Sequence, residues 1–215
     1  MAENLPINFA VLGENAIATY SYSDLVEGTG MASFYPFFAD GEYTTGTIYT
    51  MSPQLYYSSS ISTVTTEFDG AFDKTFSLTA FNTPRTLGGT SYFTIPWYFK
   101  VSISDQVLKA YPEITLYKNS DVITTISGAW IVGSTGVDIS KQSPFVATLP
   151  STHYKKGDIL KFKVRVVFAT PTHGSSGTPI HEVGHDPMDR DGTYLTSANT
   201  LSSQMKINIP FKIDL

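Results

Sequence analysis

The chain has 215 residues, no cysteine and a net charge of −5, which excludes disulfides and thiolate metal sites and argues against a nucleic-acid binder, since those carry a basic excess. Hydrophobic residues make up 41%, aromatics 13% and charged residues only 15%; this is enough for a large core and suits strands and turns better than helices. Met1-Ala2-Glu3-Asn4 is an acidic start without an apolar h-region, and no run approaches membrane-spanning length, so a soluble chain without a Sec signal is expected.

The charge is unevenly spread. Residues 1–73 hold nine acids and neither Lys nor Arg, while the remainder holds fourteen bases and ten acids, so the two parts carry −9 and +4. Such a split supports electrostatic matching between copies or with a partner, set against simple drift on a solvated surface.

Taken in order, residues 1–15 read as an N-terminal arm containing a short apolar run, and Ala16 to Tyr22 alternates as a strand. After the Gly28-Thr29-Gly30 turn, Met31 to Phe38 is a strand that Pro36 confines to an edge or a bulge. Short strands follow at Thr47 to Met51 and Gln54 to Tyr57, with Ser58 to Thr66 an exposed strand or loop. Phe72 to Phe81 places Phe72, Lys74, Phe76, Leu78 and Ala80 on one strand face, with Lys74 near its rim. Asn82 to Gly89 reads as a loop, and Ser91 to Ser104 as a strand interrupted at Pro96. Asp105 to Tyr111 is the one helix candidate. Glu113 to Lys118, Asn119-Ser120 and Asp121 to Ile126 spell a β-hairpin with a two-residue tip. Ala129 to Val132 and Phe145 to Leu149 are further short strands.

The clearest pattern follows the turn Lys156-Gly157-Asp158. Leu160, Phe162, Val164, Val166 and Phe168 alternate with Lys161, Lys163, Arg165 and Val167, giving an apolar inside and a cationic outside. Residues 169–200 read as a long polar surface loop. In the last strand Met205, Ile207, Ile209, Phe211, Ile213 and Leu215 share one face. Each large apolar group contributes about 1.5–3 kcal/mol if fully buried, so these two strands are expected to share a core, with the C-terminus built into the fold. Strands recurring about every 8–12 residues indicate a single all-β domain over residues 1–215, an antiparallel β-sandwich of jelly-roll type.

Several residue sets invite chemistry. His181-Glu182-Val183-Gly184-His185 matches the HExxH pattern of zinc peptidases letter for letter. That chemistry needs a helix to bring both imidazoles to one side, and the Gly/Ser/Pro-rich approach together with Asp186-Pro187 argues against one. His173, His181, His185, Asp186, Asp189 and Asp191 offer a looser, loop-borne site for a divalent ion; Pro187 and Ala198 fall where an EF-hand needs ligands. The competing reading is a turn-rich loop that uses Asp and Gly for backbone reasons. No metal or other cofactor is expected. The outward row Lys161, Lys163 and Arg165, joined by Lys206 and Lys212 if the two strands lie in one sheet, is the candidate binding or interface surface; it reads as an edge-strand guard against aggregation or a contact with an acidic protein rather than with DNA. Tyr56, Tyr57, Trp97 and Trp130 are candidates for stacking on sugars, although the alternation places Trp97 in the core. No catalytic residue is assigned.

Five phrases, Gly28-Thr29-Gly30, Leu116-Tyr117-Lys118-Asn119, Tyr154-Lys155-Lys156-Gly157-Asp158, Gly184-His185-Asp186-Pro187 with Arg190-Asp191-Gly192, and Ile209-Pro210-Phe211-Lys212-Ile213, together resemble auxiliary, decoration-type virion proteins of tailed phages and environmental viruses. The resemblance implies a β-sandwich, often a homotrimer, that docks on a major capsid or neighbouring virion protein and performs no chemistry. It also implies location in the virion, without direct contact with nucleic acid or membrane. The rivals are a carbohydrate-binding β-sandwich and, further off, a zinc metallopeptidase.

Overall fold

The computed structural model describes residues 28–39, 48–55, 61–62, 64–68, 72–100, 108–133, 138–169, 180–189 and 203–213. Every regular element among them is a strand. In chain order these are β1 (Thr29–Ala39), β2 (Ile48–Ser52), β3 (Ile61–Ser62), β4 (Val64–Phe68), β5 (Asp73–Ser77), β6 (Arg85–Lys100) and β7 (Leu108–Lys118). They continue as β8 (Asp121–Ser127), β9 (Ile131–Gly133), β10 (Asp138–Tyr154), β11 (Leu160–Ala169), β12 (Ile180–Gly184) and β13 (Lys206–Ile213). The expected arm at residues 1–15 and the strand at Ala16 to Tyr22 lie outside the described residues.

The hydrogen-bonded path runs β4-β12-β6-β13-β1-β2-β5-β11-β7-β8, with β10 on β6, β3 on β1 and β9 on β7. The fold is all-β, as the composition implies, but the sheet is mixed. β2 and β5 run parallel through Thr50 and Ser77, where the Thr50 hydroxyl also donates to the Ser77 carbonyl at 3.0 Å. The purely antiparallel expectation fails there because β2 is antiparallel to β1 and β5 to β11, and the edges they have left meet pointing the same way.

Two of the strand prolines, Pro36 and Pro96, stand where a strand changes partners. β1 pairs with β13 up to Phe34 and with β2 from Tyr35, so Pro36 lies just past the exchange. β6 pairs with β13 up to Thr94 and with β12 from Trp97, leaving Pro96 in the gap. A residue without an N–H costs no ladder bond on that side. Pro96 therefore does not interrupt β6, which is one strand from Arg85 to Lys100 and absorbs most of the expected loop at Asn82 to Gly89.

Other boundaries also move. The expected helix at Asp105 to Tyr111 is strand from Leu108 onward, because Ala110 and Ile114 are core positions of a β7 that pairs with β11 from Lys109 to Lys118. Phe145 to Leu149 is the middle of a much longer strand, β10, laid along β6 with one register shift between Leu149 and Thr152. The expected surface loop at 169–200 contains β12, inserted between β4 and β6, and Glu182 through Pro187 are buried. Past Thr94, β6 has lost β13 as a neighbour, and β12 satisfies the edge that Trp97 would otherwise expose. The remainder of that stretch lies outside the described residues, apart from Ala169 and residues 185–189.

One core joins strands that are not neighbours along the path. Phe162 on β11 meets Phe34 on β1 at 6.4 Å and Phe93 on β6 at 6.5 Å between ring centroids. Ile207, Ile209 and Phe211 of β13 belong to the same cluster as Phe162, Val164 and Val166 of β11, so the two most regular strands of the sequence do share an interior. The pairing of β13 with β1 extends to Ile213, whose N–H donates to Gly28 O at 2.6 Å.

Candidate binding face

Alternation along β11 buries Leu160, Phe162, Val164 and Val166 and leaves Lys161, Lys163, Arg165 and Val167 half-exposed. Register then writes out the face. Lys161 lies between Ser77 and Tyr117, Lys163 between Thr75 and Thr115, Arg165 between Asp73 and Glu113, and Val167 beside Tyr111. On the far side of β7, Thr115 faces Thr125 and Glu113 faces Ser127.

The cations are not a bare positive stripe. Lys163 Nζ is 2.9 Å from Asp73 Oδ2, and Arg165 reaches Asp73 at 3.7 Å and Glu113 at 3.8 Å. Glu113 Oε2 also accepts from the Ser127 hydroxyl at 3.1 Å, and the Thr115 and Thr125 hydroxyls are 3.1 Å apart. These are partly exposed pairs, each contributing roughly 0–1 kcal/mol; they fix side-chain positions more than they stabilise the fold.

Lys206 and Lys212 lie elsewhere. They sit on β13, separated from β11 along the path by β1, β2 and β5, so the structure does not join them to the β11 row. Lys206 Nζ stacks over the Tyr35 ring at 5.7 Å. Lys212 is exposed at the rim of an open groove of about 420 Å³ that Gly88, Ser151 and Pro210 also line.

At the end of the β11 face, Trp130 is 50% exposed and packs edge-on against Tyr111, with centroids 4.4 Å apart and planes at 76°. Trp97 is wholly buried, as its alternation implied. Tyr56 and Tyr57 lie outside the described residues. Tyr111 became legible as an outward residue only once β7 was seen to begin at Leu108, in phase with Lys109, Tyr111 and Glu113.

Across β10, β6, β13 and β1 a second open face appears that alternation had not singled out. Val146 pairs with Tyr92, Tyr92 with Asn208, and Asn208 with Ser33, whose hydroxyl donates to the Asn208 amide oxygen at 2.7 Å. Val146 is 64% exposed, and Tyr92 and Met31 are each 47% exposed. The outward turn of Tyr92 between Ser91 and Phe93 was the available signal.

The first four residues of the HExxH match, His181 to Gly184, are strand in β12, and His185 follows directly. Side chains four apart on a strand are separated by roughly 13 Å, so the helical arrangement that brings both imidazoles to one zinc is not formed. His185, fully buried, lies instead against the rings of Phe38 at 6.0 Å and Phe76 at 6.3 Å. The following acids serve the turn toward β13: Asp186 Oδ1 accepts from Met188 N at 3.1 Å, and Asp189 Oδ1 accepts from Ser203 N at 2.6 Å. Asp189 takes φ 53°, a conformation that Asp tolerates. Among the described residues no group of three or more His, Asp or Glu is placed to hold a metal ion; His173 and Asp191 lie outside them.

No protein-family model matches the chain, and no curated protein matches it. Among solved structures, it is similar to a CocE/NonD family hydrolase from Staphylococcus aureus at 14% identity and a TM-score of 0.35, over 82% of this chain and 36% of that one. It is also similar to the structure of infectious bursal disease virus Gx strain (16% identity, TM-score 0.27, 83% of this chain and 47% of that one). The crystal structure of the VP2 subviral particle of the same virus aligns at 13% identity and a TM-score of 0.30, over 86% of this chain and 57% of the other. The chain thus spans little more than a third of the hydrolase, and TM-scores this low carry no argument about fold or function.

Proposed function

We propose that the protein is a non-enzymatic virion structural component of the auxiliary, capsid-decoration type, from a bacteriophage or related virus, with its strands folded as a jelly-roll β-sandwich. It acts by self-association, as a homotrimer, and by binding a major capsid or neighbouring shell protein; it contacts neither nucleic acid nor membrane directly. The observation that carries this reading is the open face of β10, β6, β13 and β1. Val146, Tyr92 and Met31 present apolar surface at 64%, 47% and 47% exposure on four laterally bonded strands. A broad, shallow, mixed face of this kind suits a flat protein neighbour better than a small substrate. The phrase-level resemblance to virion auxiliary proteins supports the same reading, and the strand conformation of His181 to Gly184 favours it over a peptidase.

Particle composition tests it. Purified virions of the source virus should contain the polypeptide in fixed stoichiometry, and the isolated protein should sediment as a trimer. Val146→Glu with Tyr92→Glu should abolish attachment to particles while leaving the circular-dichroism spectrum unchanged. Virions lacking the polypeptide would refute the proposal.

A further inference from the structure

We propose that the Trp130–Tyr111 corner on the outer face of β7, β9 and β11 binds a neutral hexose residue of a glycan. This inference stands apart from the virion reading and uses a different face of the molecule.

Trp130 is half open, yet its ring is set against Tyr111 at 4.4 Å and 76°. Two perpendicular aromatic rings make a corner rather than a flat patch. A pyranose has an apolar C–H face and a rim of hydroxyls, and the C–H face is attracted to the negative face of an aromatic ring. The rim then requires fixed donors and acceptors within one sugar's width. Glu113 supplies them: it lies two residues from Tyr111 on the same strand face, about 7 Å along β7. Its carboxylate is held between Ser127 Oγ at 3.1 Å and Arg165 Nη1 at 3.8 Å. The oriented Glu113 carboxylate can accept from one hydroxyl while the Arg165 guanidinium beside it donates to the next.

Charge selects the ligand class. Lys163 and Arg165, the cations nearest Glu113, are matched by Asp73 and Glu113, while Lys109 and Lys161 also lie on this face. A phosphorylated or sulfated ligand would have to displace those pairs, whereas a neutral sugar leaves them intact.

The chain contains two tryptophans, and Trp97 is 0% exposed, so a ligand-induced change in tryptophan emission reports Trp130. The full chain is titrated with neutral oligosaccharides of glucose, galactose and mannose, with emission to locate binding and calorimetry to measure affinity. At least one series is expected to bind saturably and shift the emission. Trp130→Ala and Glu113→Gln should each weaken binding about tenfold or more, the loss expected for one stacking contact or one charged hydrogen bond. Lys212→Ala, on β13, should leave it unchanged. The site is overturned if no neutral oligosaccharide binds, if only anionic glycans bind, or if affinity survives both Trp130→Ala and Glu113→Gln. Unaltered thermal unfolding of Glu113→Gln keeps the result readable should Trp130→Ala fold poorly.

Discussion

Asn119, at the tip of the β7–β8 hairpin, is locked to Asp158, in the turn that launches β11. Asn119 Nδ2 donates to Asp158 Oδ1 at 2.9 Å, and Asn119 Oδ1 accepts from Ile159 N at 2.8 Å. Asn119 adopts φ 57°, which Asn tolerates better than most residues. Asp158 Oδ2 in turn accepts from Lys155 N at 2.8 Å and lies 3.2 Å from Lys118 Nζ. Two turns distant in sequence thereby become one corner.

That corner has an acid signature. The Asn119 hydrogen bond first, then the Lys155 N–H and the Lys118 ammonium, hold the Asp158 carboxyl at about 2 against an ordinary 3.8. A carboxylate with a depressed folded pKa contributes stability that is complete above its unfolded pKa and lost as pH falls through the folded one. Wild type should therefore lose stability between about pH 4 and pH 2 relative to Asp158→Asn, read as the difference in urea midpoints across that window. Parallel midpoint curves would refute the assignment. Burial of the neighbouring Tyr154 phenol, with the Asp158 charge adding, pushes its pKa above the ordinary range, so Tyr154 should resist ionisation until the protein unfolds in alkali.

Phe162 packs β11 against β1 and β6, strands that are not its neighbours along the sheet path. It is fully buried and contacts the rings of Phe34 and Phe93. Phe162→Ala should cost about 3–5 kcal/mol, measured by chemical denaturation, while Lys161→Ala beside it should cost less than about 0.5 kcal/mol.

Gly184, inside the HExxH match, has a packing reason to be glycine. A Cβ there would stand 2.8 Å from Ser203 O, 2.9 Å from Ser203 Cα and 3.0 Å from Pro96 Cγ. Two of those atoms are backbone or bonded to it and cannot swing aside. Gly184→Ala should destabilise by about 1–3 kcal/mol. At Gly128 the obstacle is the Phe145 ring edge at 2.5 Å, so Gly128→Ala should cost less if the ring turns, and the order of the two melting temperatures checks this.

The Asp73 pairs should matter little for stability. Asp73→Asn removes partners of Lys163 and Arg165 on a partly exposed face, so the expected loss is under about 1 kcal/mol and shrinks with added salt. A loss of several kcal/mol that salt does not diminish would mean these charges are buried in solution.

How much was legible follows from the range of each signal. Alternation is local: it identified the apolar side of β11 and β13, the outward position of Lys161, Lys163 and Arg165, and the burial of Trp97, because neighbouring side chains of a strand point to opposite faces whatever pairs beside it. The hairpin tip at Asn119-Ser120 was equally local. Partner choice is not. Nothing within β11 or β13 records that β1, β2 and β5 stand between them, so Lys206 and Lys212 were grouped with residues they do not adjoin. Pro96 looked like an interruption because the exchange of β13 for β12 beside it is a long-range event. Glu182 to Pro187 looked like surface because the edge that β12 fills belongs to a strand some eighty residues earlier. Periodicity within the chain determined which side of each strand is greasy. Only the assembled sheet decided which strands touch, since hydrogen-bonded neighbours are selected by whole-core packing rather than by adjacent residues.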